Sequence, residues 1–342
     1  MILRPMGVAD AAPLWALLDE AGGGTVGMGL PTTSDATEQL CRESAETLAD
    51  LAAGSLTIDA GSRRKLLFVV VDPVDDVPVG VTGCTFKVDY PNLVVHVETS
   101  RDGLGLTMHS VSSQWTRTEL DSSYLGPSAR GRGVGTLLSR GRLMFLHLVS
   151  HQIPTTVASH IRGWFNDAGE APFWVEFGQR FAPQWETSGE AELALRDDPD
   201  RLGQMADQVL PLTASVLSSL GPVNAASLPA FGVLMAEGFH PTGMFDPIDG
   251  GPTIVAELCE TVTHRLRRRG RAVIGNGNQD ALVAIASVTR FKATRSRVDL
   301  ATNGSIALSG QALRALDVEP DALLTASPLS DSDAGNDPKE QL

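Results

Sequence analysis

The sequence predicts an α/β (α+β) chain: a mixed, mostly antiparallel sheet flanked by helices, with a small β-rich unit at its C-terminal end. Three observations carry that class. Strand-like and helix-period runs follow in the order strand, helix, helix, then four strands, a glycine–arginine loop and a long apolar helix. After about residue 260 the pattern changes to short apolar runs at regular intervals. The 342 residues are 42% hydrophobic and 20% charged, enough for a large core, and no stretch approaches the roughly 18 apolar residues of a membrane span. These shifts divide the chain into residues 1–260, residues 261–326, and a polar, acidic tail over 327–342 that predicts disorder.

Taken in order, MILRP is a short strand closed by proline, and Asp10 is placed to cap a helix carrying Ala11, Leu14, Leu17 and Leu18. AGGGTVGMGLP (21–31) has five glycines in eleven positions, a loop needing unusual backbone angles or close approach to another group. Residues 34–53 read as a helix, with Ser34 as its cap. KLLFVVV (65–71) is a buried strand, paired through the DPVDD turn with 78–88; 92–98 and 118–126 are further strands. Val134, Leu137, Leu138, Met144, Phe145 and Leu148 fall on one helical stripe. Beyond it come a strand at 155–163, an aromatic helix at 171–181 with Phe173 and Trp174 as core residues, and acidic helical sequence over 184–210. A helix at 228–239 ends at Gly238, and two strands surround the GG turn within 241–258.

Charge and cysteine content narrow the function. Forty-one acidic against 27 basic residues give a net charge of −14, which argues against a nucleic-acid binder, whose affinity rests on a basic face. It suits an enzyme acting on small molecules and favours a cationic substrate. Cys41, Cys84 and Cys259 are far apart, with no metal-ligand spacing, so inert thiols and a cytoplasmic location are expected, with no metal. The N-terminal residues lack a secretory pattern. The arginine cluster Arg265–Arg271 reads as a solvated face.

One segment carries chemistry. Arg130, Gly131, Arg132, Gly133, Val134 and Gly135 fit R-x-x-G-x-G between a strand and a helix. Free N–H groups at a helix N-terminus point outward with partial positive charge. Glycines let a phosphate approach them, and arginines add charge-assisted contacts. A Walker loop would need a lysine after the glycines, and a Rossmann fingerprint would need a different spacing near the chain start. The segment, after strand-helix-helix-strand-strand-strand, resembles the acyl-CoA loop of the Gcn5-related N-acetyltransferase (GNAT) fold.

The chain as a whole resembles the arginine N-succinyltransferase family, a branch of that superfamily. The resemblance rests on ILRP with GGGTVGMGLP, on TELDSSYLGPSARGRGVGTLLSRGRLMFL, on IRGWFNDAGEAPFW with FGQRF, on EGFHPTGMFDPIDGGPTI and on ALSGQALRALDVEPDALL. It implies an acyl-CoA N-acyltransferase domain over 1–260 that uses succinyl-CoA, or another acyl-CoA, as co-substrate. The acceptor it implies is the α-amino group of arginine or a related basic amino acid in arginine catabolism. A homo-oligomer or a heteromer with a paralogous subunit is implied as well. The alternatives are a GNAT-type enzyme with a different amine or acyl donor, or a catalytically weak partner subunit that keeps the CoA site.

By the same resemblance the succinyl-CoA contact falls on Leu125, and the family's proton-donating histidine falls on Asn224. Asparagine exchanges no proton near neutral pH. The thioester oxygen is expected to meet a backbone N–H at Leu125 or Gly126. Glu119 is the candidate base, or else a structural partner for a nearby arginine. Tyr124 is a candidate proton donor to the thiolate, or a packing residue. Gly24 and Thr25 are candidates for the substrate pocket. Asp246 and Asp249 could hold a guanidinium bidentately, or simply form their turn. His96 reads as a core histidine and His240 as a surface one.

Overall fold

The run Leu66–Val71 shows how the core is organised. Leu66, Phe68 and Val70 point into one apolar cluster, while Leu67, Val69 and Val71 point into another on the opposite face. Both faces are covered, so a strand with no polar alternation is what the position requires. The computed structural model describes residues 1–20, 29–90, 93–100, 103–110, 115–181, 183–197, 208–211 and 213–329.

β1 (Ile2–Pro5), α1 (Ala11–Glu20) and α2 (Ser34–Ala53) lead into β2 (Ser62–Val71), β3 (Pro78–Val88), β4 (Leu93–Ser100), β5 (Gly103–Ser110) and β6 (Arg117–Leu125). α3 (Val134–Leu148) crosses to β7 (Thr156–His160). A wide π-helical turn, Trp174–Gly178, precedes α4 (Gln179–Phe181), α5 (Ser188–Asp197), β8 (Gln208–Pro211), α6 (Ala214–Ser219) and α7 (Leu228–Ala236). β9 (His240–Phe245), β10 (Pro252–Glu257) and α8 (Val262–Leu266) follow. The C-terminal elements are β11 (Arg268–Ile274), β12 (Gln279–Ile285), β13 (Ala293–Leu300), β14 (Ser305–Leu308), α9 (Gly310–Leu316) and β15 (Leu323–Pro328).

Fifteen strands among the described residues hydrogen-bond in one order, β12-β15-β11-β14-β13-β1-β2-β3-β6-β7-β10-β9-β4-β5-β8. The ladder is mixed, as expected: β6–β7 and β11–β14 are parallel, and the other pairs are antiparallel. β12 also pairs with β13, which closes the last five strands into a small barrel around its own apolar cluster, including Val283, Ile306, Leu313 and Leu324. The barrel joins the main sheet where Leu3 of β1 faces Ala293 of β13.

α3 is the central helix. Thr136 to Leu146 are buried on every face, with Phe145 edge-on to Phe68 and Phe291 at 5.1 Å from each ring centroid. Arg140, 2% exposed as a side chain, pairs its Nε with Glu237 Oε1 at 2.6 Å. It also donates to Thr263 and to the carbonyl of Pro328, so one buried charge ties the helix to the α7–β9 connection, to α8 and to β15.

Several local expectations are corrected. Thr33, not Ser34, caps α2, accepting the Ala36 N–H at 3.2 Å. Asp10 does not cap α1; its carboxylate accepts the Gly7 N–H and pairs with Arg4, closing the turn before the helix. The aromatic helix over 171–181 widens into the π-helical turn, where Phe173 and Phe177 lie 4.9 Å apart in a cluster with Trp174 and Trp185. Within 184–210, α5 gives way to β8, which pairs with β5. The chain remains ordered past 326: Ser327 and Pro328 complete β15 against Leu282 and Ala281, and Leu329 is buried. The rest of the acidic tail, 330–342, lies outside the described residues.

Candidate active site

β6, α3 and β7 form a strand–helix–strand crossover with the two strands parallel. They pair only at Thr118↔Val157 and Glu119↔Ala158, with Ser159 Oγ still reaching the Leu120 carbonyl at 3.1 Å. Beyond that β7 follows β10, through His160↔Thr253, and β6 follows β3 alone, through Val81↔Tyr124 and Gly80↔Leu125. The carboxyl ends of two adjacent parallel strands therefore separate, the place where open α/β sheets bind ligands.

The separation has a local cause. Ser122 adopts φ 53°, and the register slips between Val81 and Gly83, so Ser122 and Ser123 together oppose Thr82. This is a β-bulge, which bends the strand. Arg142 of α3, itself buried, pins it by donating through Nη1 to Thr82 Oγ1 at 2.8 Å and to the Gly83 carbonyl at 3.0 Å. Ser122 Oγ and Lys65 Nζ both donate to the carbonyl of Gly29, which anchors the end of the glycine-rich loop beside the bulge. Gly24 and Thr25 of that loop lie outside the described residues.

At the end of β6 the Gly126 N–H donates to Val79 O at 2.9 Å. Antiparallel alternation then turns the Leu125 amide to the opposite edge, toward the opening. The Leu125 carbonyl on that edge accepts from Arg130 Nε at 3.0 Å. Of the two expected oxyanion donors Gly126 is thus spent on β3, and Leu125 is the one aimed at the cleft. Tyr124, one residue earlier, is partly buried against the cluster of α1 and α2.

The loop itself is open. Arg130, Gly131 and Arg132 are exposed. Gly131 and Gly133 take φ 71° and 72°, a region that side chains disfavour. Gly133 is the N-cap of α3 and makes no side-chain cap bond, so the N–H groups of Val134, Gly135 and the next residue head outward without an intrahelical partner. A Cβ on Gly135 would meet open space. The arrangement offers backbone donors and two exposed guanidinium groups, the chemistry that suits an anion.

Glu119 occupies the other end of β6, roughly 20 Å of strand from Leu125. Its carboxylate pairs with Lys87, lies 3.3 Å from Arg117 Nη2 and lies 3.8 Å from His160 Nε2. Burial alone would raise its pKa, but Lys87, with His160 and Arg117, holds it well below the usual carboxylate range. Such a carboxylate is a weak proton acceptor, which argues against the base role and for the structural pairing. Burial also lowers His160 to about 4, while its Nδ1 contacts Thr253 Oγ1 at 2.9 Å.

The residues expected on the acceptor side, Asn224, Asp246 and Asp249, gather past the end of β7. Gly163 bridges to Val223, and the Asn224 N–H donates to Arg162 O at 2.9 Å. Asn224 Oδ1 accepts the Ala226 N–H at 2.9 Å, an Asx turn that starts α7. Beside it the Asp246–Gly251 turn is packed so closely that a Cβ on Gly163 would stand 2.1 Å from Asp249 O, and one on Gly251 2.0 Å from Ile161 O. Asp246 Oδ1 accepts from Ile248 N and Asp249 N, and Asp249 Oδ1 from Gly251 N. Both carboxylates are engaged in forming the turn. Arg162 stacks on Phe165, its guanidinium carbon 4.6 Å from the ring centre. His96 lies on β4, while His240 is exposed.

Burial, reinforced by Asp246, pushes Asp249 up to about 8, and burial raises Asp246 as well. A folded-state pKa above the unfolded one means that stability is full below about pH 4 and falls as pH rises toward 8. Asp249→Asn removes that titration. The variant is expected to gain stability relative to the parent between pH 5 and 8, read by urea denaturation at both values; parallel profiles would contradict the assignment.

By family the chain is an acyltransferase, built on a mixed α/β sheet. The family model described as arginine N-succinyltransferase beta subunit matches residues 1–263, and the chain belongs to that family. Arginine N-succinyltransferases of Escherichia coli are similar to it: that of strain SE11 is 25% identical over 335 residues, covering 91% of this chain and 93% of the relative. That of strain 55989 is 26% identical over 340 residues, covering 92% and 94%. The solved arginine/ornithine succinyltransferase subunit AI from Pseudomonas aeruginosa shares the fold, with a TM-score of 0.80 at 22% identity over 96% of this chain and 98% of that one. Among the described residues no helix is long and apolar enough to cross a membrane, and no group of three metal-ligating side chains gathers.

Proposed function

We propose that the chain transfers a succinyl group from succinyl-CoA to the α-amino group of arginine or a close basic relative such as ornithine. The carrying observation is the crevice between β6 and β7, which ends on the uncapped N-terminus of α3 in a chain whose family is named for this transfer. In this reading the diphosphate of CoA lies on Arg130–Gly135 and the thioester oxygen accepts from the Leu125 N–H. The neutral amine attacks the thioester carbonyl, the tetrahedral oxyanion collapses as the C–S bond breaks, and the proton shed by the acylated nitrogen passes through solvent to the departing CoA thiolate. Thioesters are already activated, so positioning supplies much of the rate. Asp246 and Asp249 shape the acceptor side through their turn. The reading includes a cytoplasmic location and an oligomer of identical or paralogous subunits, for which the beta-subunit description of the family is the support.

Asn224 favours a second reading, a partner subunit that keeps the CoA site while another subunit carries turnover. The test is thiol release from succinyl-CoA with a panel of amines, the product located by mass spectrometry. Release with arginine or ornithine and succinylation at the α-amine is the expected result. Release only with an unrelated amine would overturn the acceptor assignment. Tight CoA binding without release would favour the partner-subunit reading.

A further inference from the structure

The barrel reaches the phosphate loop. β13 runs beside the first residues of the chain: Leu3 faces Ala293, and Thr294 Oγ1 donates to the Met1 carbonyl at 3.0 Å. The next residue, Arg295, extends over the glycine loop. Its Nη1 lies 2.5 Å from where a Cβ on residue 133 would stand. Its Nη2 pairs with Asp280 Oδ2 at 3.0 Å, and its side chain is 28% exposed, so the guanidinium is both held and open to solvent. Arg132, exposed, is the residue before Gly133 in the same loop. Arg295 thus stands at the N-cap Gly133, beside the loop that carries Arg130 and Arg132, in a chain of net charge −14. A residue with a side chain at 133 would stand in the way of Arg295.

We propose that Arg295 is a third arginine of the donor site, contacting the phosphate of coenzyme A that rests on the N-terminus of α3. This rests on the acyl-CoA reading above. The barrel is then part of the donor site, and the loop glycine at 133 serves two neighbours: the phosphate in front of it and the guanidinium above it. Arg295 suits the position because its planar fork can keep one nitrogen on Asp280 while another faces the ligand.

The test is isothermal calorimetry of CoA binding to the full chain and to Arg295→Ala, Arg295→Gln and Asp280→Asn, with thermal midpoints recorded for each. Arg295→Ala and Arg295→Gln are expected to weaken CoA binding about tenfold or more. Asp280→Asn, which removes the ion pair and leaves the guanidinium, is expected to bind CoA at least as tightly as the parent. An equal loss in Asp280→Asn would show that Arg295 acts only through its ion pair and would overturn the proposal. Unchanged binding in folded Arg295→Gln would overturn it too while leaving the acyl-CoA reading intact. Absence of CoA binding by the parent chain would instead overturn that reading.

Discussion

Asn224→His raises kcat by about tenfold or more and adds an ionisation near pH 6.5 to the rate profile. The backbone at this position is fixed independently of the side chain, by the Gly163–Val223 bridge and the bond from Asn224 N to Arg162 O. The substitution therefore places an imidazole at a defined point past the end of β7, beside the opening between β6 and β7. The asparagine side chain serves its Asx turn, with Oδ1 accepting from Ala226 N; losing that bond costs about 1 kcal/mol, as for a helix cap. A positioned general acid or base contributes about two to four orders of magnitude in enzymes at large, and an activated thioester needs less. CoA affinity is expected to stay unchanged, because Asn224 is tied to the chain past β7 while the Arg130–Gly135 loop follows β6. An unchanged kcat with no new ionisation would mean that position 224 does not reach the proton path in this chain.

Glu237→Gln destabilises the folded chain by about 3 kcal/mol or more. Both partners of the Arg140–Glu237 pair are 2% exposed as side chains. Glu237 Oε2 also accepts the Thr263 N–H at 2.8 Å. Removing the carboxylate charge takes this counter-charge from the Arg140 guanidinium, buried in the middle of α3, and the desolvation cost of that ion is then no longer offset by it. Since Arg140 also reaches Thr263 and Pro328, the loosening spreads from the central helix to the barrel junction. Urea denaturation measures the change; a loss below about 1 kcal/mol would show that the pair is solvated like a surface bridge.

The parts legible in the sequence are those with local causes. KLLFVVV announces a strand covered on both faces, and its alternate residues do enter two separate clusters. The turn over Arg130–Gly135 is legible because Gly131 and Gly133 take positive φ and lead straight into a helix start. The family-specific glycines of IRGW and DGGPT are visible as a pattern, but their reason, backbones too close for any Cβ between Gly163 and Asp249, appears only in three dimensions.

What sequence reasoning missed depends on pairings across the chain. Arg142 pinning the bulge, Lys87 engaging Glu119 and Arg295 over Gly133 join residues 32 to 162 positions apart. One signal was available. Two arginines, Arg140 and Arg142, interrupt the apolar stripe of α3, and a helix buried on all sides must supply partners for both. β5 escaped because GLGLTMHS is broken by glycine and polar residues and is held as a strand by β4 and β8 on either side.

The central claim is that the crevice between β6 and β7 holds an acyl-CoA with its diphosphate on α3 and its thioester at Leu125. A crystal structure of the chain with CoA or succinyl-CoA tests it most directly. The account predicts phosphate oxygens on the N–H groups of Gly133 to Gly135 and the thioester carbonyl within hydrogen-bond distance of Leu125 N. Density placing the diphosphate away from the Arg130–Gly135 loop, or the sulfur away from the end of β6, would contradict it.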